Sequence, residues 1–475
     1  MEPDEKTLKD MCCHTVAVRE RIKRDVQDII KHQPCRLGLC EERMYHFLNM
    51  FTDELLRDDP HSDGSLTCEQ GFSFLKDIKF FAKDSASETV VFSANYAYEG
   101  VRHFDRYPVF GKIHLEYEKK REAKRMQCEN DSLWTEIQLY RYMNSIVLRG
   151  ATPHLITFVT AFNCKPFSVA ERFFGESNLR PLNDSPSDFK KREDKSVNVL
   201  ISEGSIYPTV ELLRHLKTNK SDLPQIWFQI IWTLAVFHEL GFEHHDMHFG
   251  NIMITALPEE RTFSYRLSAT KAYSFKTRFF VRVFDFDHST KWKTKHDSLQ
   301  IGNPYICELG EQISGYYFAE LGSRPHPHWD LIKFIFFSKE RLSKAWKELF
   351  PPSITKNNEF SVMSRHGMQP GQHRTTLDKY GNPTSGLYEE IFKMPAYQNV
   401  FTDIIECIAR NIPMTKPDPM TESWTMPSFL AQGPQGPDLV TTMLDEDQHA
   451  GQKRGRPSQP WEQLKNSLKF SRVFA

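Results

Sequence analysis

Phe242-Glu-His-His-Asp246-Met-His-Phe-Gly-Asn251-Ile-Met-Ile254 is the stretch from which the rest of the chain is read. At its core is His244-x-Asp246, with Asn251 following after four intervening residues. An apolar segment, Pro224–Leu240, comes just before it. There Ile226, Ile230, Leu234 and Phe237 recur at helical spacing, and Trp227, Ile231 and Trp232 widen the stripe, so a buried helix is expected with Gly241 as its C-terminal cap. Beyond the stretch, Ile252–Ile254 reads as a short strand, paired with Val281-Arg-Val-Phe284 after a polar connection. Asp285 follows that second strand directly. Two carboxylates and an amide in such positions suit one proton acceptor, Asp246, beside two oxygen ligands, Asn251 and Asp285, for a hard cation such as Mg²⁺. Asp287 competes for the second ligand position; Val283-Phe284 before Asp285 and Phe286 after it favour Asp285. A metal site built from His244, His245 and His248 is the rival reading of the histidines. With Asn251 in the same motif, His244 is read instead as a structural hydrogen-bonding residue that holds the loop.

The half of the chain before this stretch has strand character. Ile78–Ala82, Thr89–Tyr96 and Pro108–Tyr117 are rich in Val, Phe and Tyr, and the third carries Val109-Phe-Gly-Lys112-Ile. A helix follows through Ser132–Asn144, with Glu136 on the face of Ile137, Tyr140 and Met143. Thr152–Thr160 opens another strand. Residues 165–195 are polar and charged and read as a flexible loop, and Val197-Asn-Val-Leu-Ile leads into Glu203-Gly204-Ser205. Residues 1–70 read as a charged helical extension. A late helix pair is expected at Tyr388–Met394 and Phe401–Asn411, and 412–475 reads as an extended, partly disordered tail.

Composition adds bounds. With 475 residues the chain has room for a two-part catalytic domain with extensions, and its net charge of −1 gives no global field for nucleic acid or membrane. Nine cysteines without a C-x-x-C pair are expected to be reduced thiols. A zinc site from Cys12, Cys13, His14, Cys35 and Cys40 is the weaker alternative. The charged N-terminal residues lack the apolar core of a signal peptide, no apolar run approaches membrane-spanning length, and a cytoplasmic or nuclear location is expected.

The motif His244-His-Asp246-Met-His-Phe-Gly-Asn251, together with Val-Phe-Asp285-Phe-Asp287, resembles the divergent protein kinase-like proteins of large cytoplasmic DNA viruses. It is similar also to haspin-like and aminoglycoside-phosphotransferase-like kinases. Glu136-Ile-x-x-Tyr-x-x-Met-Asn-Ser-x-Val with Thr152-Pro-His resembles the viral group in particular. The resemblance spans roughly Ile78 to Ile335 and implies an α+β, two-lobed protein kinase-like fold. Its β-rich N-lobe would occupy 71–204, with 165–195 as an insertion, and its helical C-lobe 205–411. It implies ATP and Mg²⁺ as cofactors, Lys112 on the α/β phosphates paired with Glu136, Asp246 at the acceptor hydroxyl, and Asn251 and Asp285 on the metal. The backbone of Glu203, Gly204 and Ser205 would meet adenine. His328-Trp-Asp330 resembles the helix whose aspartate braces the catalytic loop.

The chain departs from the pattern in three places. The turn that should be glycine-rich reads Lys83-Asp-Ser85-Ala-Ser-Glu-Thr89, so Ser85 would face the phosphates without a glycine. His248 stands where serine/threonine kinases carry lysine, and no Ala-Pro-Glu closes an activation segment. The expected activity is transfer of the γ-phosphoryl group of ATP to a Ser or Thr hydroxyl of a protein. A weak pseudokinase or scaffold and a small-molecule kinase are the alternatives. Lys453-Arg-Gly-Arg-Pro457 resembles the minor-groove AT-hook core, a weak indication of DNA contact.

Overall fold

A computed structural model describes residues 66–73, 75–81, 90–96, 107–117, 132–148, 150–164, 167–180, 195–205, 209–210, 220–287, 289–294, 301, 330–331, 334–335, 349–355, 399–417 and 422–430. Ser85, the Cys12–Cys40 cluster, the Tyr388–Met394 segment and the 453–457 basic segment lie outside these residues. The described chain is a mixed α+β structure with mainly antiparallel sheets and no barrel. Its chain contacts separate into two compact units. The first includes Thr157–Ile206, and the second is formed by Cys128–Ile156 and Tyr207–Gly433.

The first unit is built on a six-stranded sheet. Its strands are β1 (Leu66–Thr67), β2 (Leu75–Phe80), β3 (Val90–Tyr96), β4 (Tyr107–Tyr117), β5 (Phe158–Cys164) and β6 (Lys195–Glu203), in the order β1-β5-β6-β4-β3-β2. All pairs are antiparallel except β1 with β5. Helices α1 (Cys68–Ser73) and α3 (Phe167–Phe174) supply aromatic rings to one face. Phe72 and Phe174 lie 4.5 Å apart, and Phe174 meets Phe92 at 5.4 Å. Phe92 is paired with Gly111 on β4, and a Cβ at 111 would stand 2.0 Å from the Phe92 ring. Because that ring is fully buried, Gly111→Ala is expected to cost about 1–3 kcal/mol through overpacking, read from the urea midpoint. An unchanged midpoint would show that the ring has room to move.

Three expectations are corrected in this unit. Residues 167–180, read as part of a loop, form α3 and α4 (Glu176–Leu179), because Val169, Ala170, Phe174 and Leu179 bury themselves against the sheet side of the helices. Residues 66–70, assigned to the helical extension, belong to β1 and α1. Cys68 and Cys164, expected as thiols, are joined in a disulfide. The parallel register pairs Thr67 with Asn163, so the residue that follows each of them, Cys68 and Cys164, comes side by side with the other.

The second unit centres on α5 (Leu223–Leu240), against which α6 (Val400–Ala409) packs, and it also holds α2 (Ser132–Leu148). Every face of α5 is apolar, from Ile226 and Trp227 to Val236 and Phe237, and nearly all of it is buried. Its one buried amide is used fully: Gln229 donates to Phe279 O at 2.9 Å and accepts from Val281 N at 2.9 Å. Gly241 ends the helix in the left-handed conformation, at φ 69°.

Strands β9 (Ile252–Arg266) and β10 (Ala272–Val283) form a long antiparallel hairpin, with β7 (Thr209–Val210) and β12 (Glu422–Thr425) on the far edge of β9. The polar connection expected between Ile254 and Val281 is therefore mostly strand. Within the expected tail, residues 422–430 are also folded: Trp424 of β12 is fully buried, and α7 (Pro427–Leu430) follows, with Ser428 bonded to Glu239. The helix expected at Phe401–Asn411 is α6, which starts one residue earlier and ends two residues earlier.

Candidate functional site

Two short strands frame the loop that follows α5. β8 (Phe242–Glu243) pairs antiparallel with β11 (Thr290–Lys291), just before residues 244–251. Beyond β8, His244 and His245 present consecutive backbone N–H groups to one buried carboxylate. Asp330 accepts them at 2.7 and 2.8 Å, one on each oxygen, as expected of a bracing aspartate. His245 takes φ 61°, an uncommon conformation for a non-glycine residue, held by the Asp330 clamp and a contact of 2.8 Å between its Nε2 and Thr290 Oγ1.

The three histidines go to three separate places. His244 donates from Nε2 to Phe284 O at 2.9 Å, the loop-holding bond expected of it. His245 meets Thr290, and His248 Nε2 lies 3.2 Å from Asp246 Oδ2. Among the described residues no group of three or more His, Cys, Asp and Glu is arranged to hold a metal ion.

Asp246 and Asn251 are tied to each other. The Asn251 amide nitrogen donates to Asp246 O at 2.9 Å and to Asp246 Oδ2 at 3.2 Å. That commits the nitrogen and leaves the amide oxygen as the atom able to ligate a cation. Asn251 ends the 3₁₀ turn Phe249–Asn251 and directly precedes β9, while Asp285 lies two residues past the end of β10. The register Ile252↔Val283 makes those two strand ends neighbours, and Phe284 N donates to Asn251 O at 3.2 Å. The strand pairing thus brings Asn251 and Asp285 to one edge, with Asp246 beside them.

Asp285 is also held in the left-handed region, at φ 69°. Its N–H donates to the Tyr140 hydroxyl at 3.4 Å, and the next residue, Phe286, is fully buried. The Phe286 ring meets Tyr140 at 5.0 Å, His244 at 5.3 Å and Phe242 at 5.7 Å. Anchoring Phe286 inward fixes where the chain turns, and that turn sets the position of Asp285. Tyr140 lies one helical turn after Glu136 on α2, so the two share a face, and Glu136 is fully buried.

The remaining candidates belong to the first unit. Lys112 lies on β4 between Val91 and Leu200, alternating with the buried Val109 and Ile113, so it stands on the sheet face opposite the aromatic cluster. Glu203 is buried and accepts from the Thr157 N–H at 3.0 Å and from the Thr157 hydroxyl, a structural role for the side chain. The Glu203 and Gly204 N–H groups donate to Thr157 O and Pro108 O. Gly204 packs so closely on Pro108 that a Cβ would fall 2.6 Å from backbone atoms. Ser205 follows, half-buried.

Sequence reasoning did not single out Tyr140 or Phe286 as supports of Asp285, nor a partner for His248. The i, i+4 spacing from Glu136 to Tyr140 was the available signal. Searched against models of protein families and against curated proteins, the chain matches none.

Proposed function

We propose that this chain is an ATP- and Mg²⁺-dependent protein kinase with a two-lobed kinase-like fold, transferring the γ-phosphoryl group to a Ser or Thr hydroxyl of a protein. It would be related to the divergent kinases of large cytoplasmic DNA viruses. The observation that carries the reading is that Asn251 and Asp285 flank adjacent ends of β9 and β10, with Asp246 bonded to Asn251 on a loop braced by Asp330. The bound nucleotide supplies the transferable group, and Mg²⁺ neutralises the charge on its phosphates.

The chain's own part is positioning and proton acceptance. Asp246 receives the proton of the acceptor hydroxyl as its oxygen bonds to phosphorus and the bond to the leaving diphosphate breaks. Asn251 Oδ1 and an Asp285 carboxylate oxygen are hard donors that fit Mg²⁺. The resemblance assigns Lys112 to the phosphates and Glu136 the role of its carboxylate partner. The backbone of Glu203, Gly204 and Ser205 is the stretch assigned to the base. A small-molecule acceptor is the second reading, favoured by His248 beside Asp246.

The test is autophosphorylation with γ-labelled ATP and Mg²⁺, alongside a thermal-shift assay with the same nucleotide. Label on Ser or Thr is expected, falling by about 10²-fold or more in Lys112→Ala through loss of a charge on the phosphates. Neither label nor thermal shift would sink the enzyme reading and leave a scaffold. A shift without label, with transfer to small hydroxyl compounds, would move the acceptor to the second reading.

A further inference from the structure

We propose that His248 is the positioning residue for Asp246, a role that rests on the phosphotransferase reading. The Gly250 N–H donates to His248 Nδ1 at 2.9 Å. A ring nitrogen that accepts a hydrogen bond carries no hydrogen, so the imidazole hydrogen belongs on Nε2. Nε2 lies 3.2 Å from Asp246 Oδ2. The same carboxylate oxygen takes the Asn251 amide at 3.2 Å. His248 Nε2 and the Asn251 amide nitrogen therefore both lie 3.2 Å from Oδ2, one from each side of the 3₁₀ turn, and together they hold that oxygen in place.

The local sequence is shaped to allow this. His248 is the N-cap residue of the Phe249–Asn251 turn, with extended backbone at φ −140° and ψ 172°. The ring lies back over residue 250: a Cβ there would stand 2.7 Å from Cε1 and 2.9 Å from Nδ1. Glycine at 250 is what leaves the ring its place. One side chain thus caps the turn that carries Asn251 and orients the group that accepts the proton.

The two duties separate by substitution. In His248→Asn the side-chain oxygen still caps Gly250, since asparagine is among the best N-cap residues, but nothing reaches Asp246. In His248→Gln the longer amide reaches Asp246 in place of Nε2–H. With the full chain and Mg·ATP, His248→Asn is expected to lower kcat by about 10–100-fold with KM for the nucleotide unchanged. His248→Gln is expected to recover part of that loss. Selective ¹⁵N labelling of the histidines supplies a readout independent of turnover. The ring assigned by its disappearance in His248→Asn should show the Nε2–H tautomer, and its Nε2 signal should move in Asp246→Asn. A kcat for His248→Asn equal to wild type, or an Nδ1–H tautomer, would overturn the inference. A wild type without transfer would remove the enzyme reading and the catalytic half of this one, while the tautomer would still decide whether His248 holds Asp246.

Discussion

Asp246→Asn is expected to lower phosphoryl transfer by about 10²–10⁴-fold while leaving the fold and the affinity for Mg·ATP intact. The substitution removes proton acceptance with little else. The Asp246 side chain is 21% exposed, and asparagine, of nearly the same size and shape, keeps its packing. An asparagine oxygen in the place of Oδ2 still accepts from the Asn251 amide and from His248, so the loop keeps its internal bonds. The new amide group then faces the acceptor and has no lone pair to take its proton. The checks are single-turnover transfer from γ-labelled ATP, nucleotide affinity by thermal shift, and the urea midpoint. Transfer at the wild-type rate would remove Asp246 from the chemistry. Loss of nucleotide affinity as well would mean that the carboxylate serves the metal.

Much of this site was legible because its signals are local. The apolar run of α5, the cap at Gly241 and the two strands beside Asn251 and Asp285 all follow from spacing within about sixty residues. What was missed depends on register or on distant partners. The charged second half of 165–195 hid the helical spacing of Val169, Ala170 and Phe174 in its first half. β12 sits in a proline- and polar-rich context, and only the burial of Trp424 against a strand some 160 residues earlier shows why it forms. Cys68 and Cys164 are 96 residues apart, and no spacing rule joins them; the β1–β5 register does. The same holds for His248. A histidine two places from an aspartate suggests a bond, but the Gly250 N–H on Nδ1 is what assigns the tautomer, and that is a matter of geometry.

Asp330→Ala is the substitution expected to damage the second unit most. Both oxygens of this buried carboxylate are used, one by the His244 N–H and one by the His245 N–H. Alanine leaves two buried donors unmet at about 1–3 kcal/mol each, so a stability loss of roughly 2–6 kcal/mol is expected in urea denaturation. Asp330→Asn keeps one acceptor and turns its amide nitrogen toward the other N–H, for a loss of about half that size. Activity should fall in the folded molecule as well. His245 is held at φ 61° by this clamp, and Asp246 is the next residue, so releasing the clamp lets the backbone relax and carries the carboxylate away from Asn251. At temperatures where Asp330→Asn remains folded, its transfer rate should fall by about 10²-fold, as expected for a catalytic group displaced by roughly 1 Å. An alanine variant as stable and as active as wild type would show that the loop's other bonds hold it without Asp330. A variant with lost stability but full transfer per folded molecule would make Asp330 a structural residue without influence on Asp246.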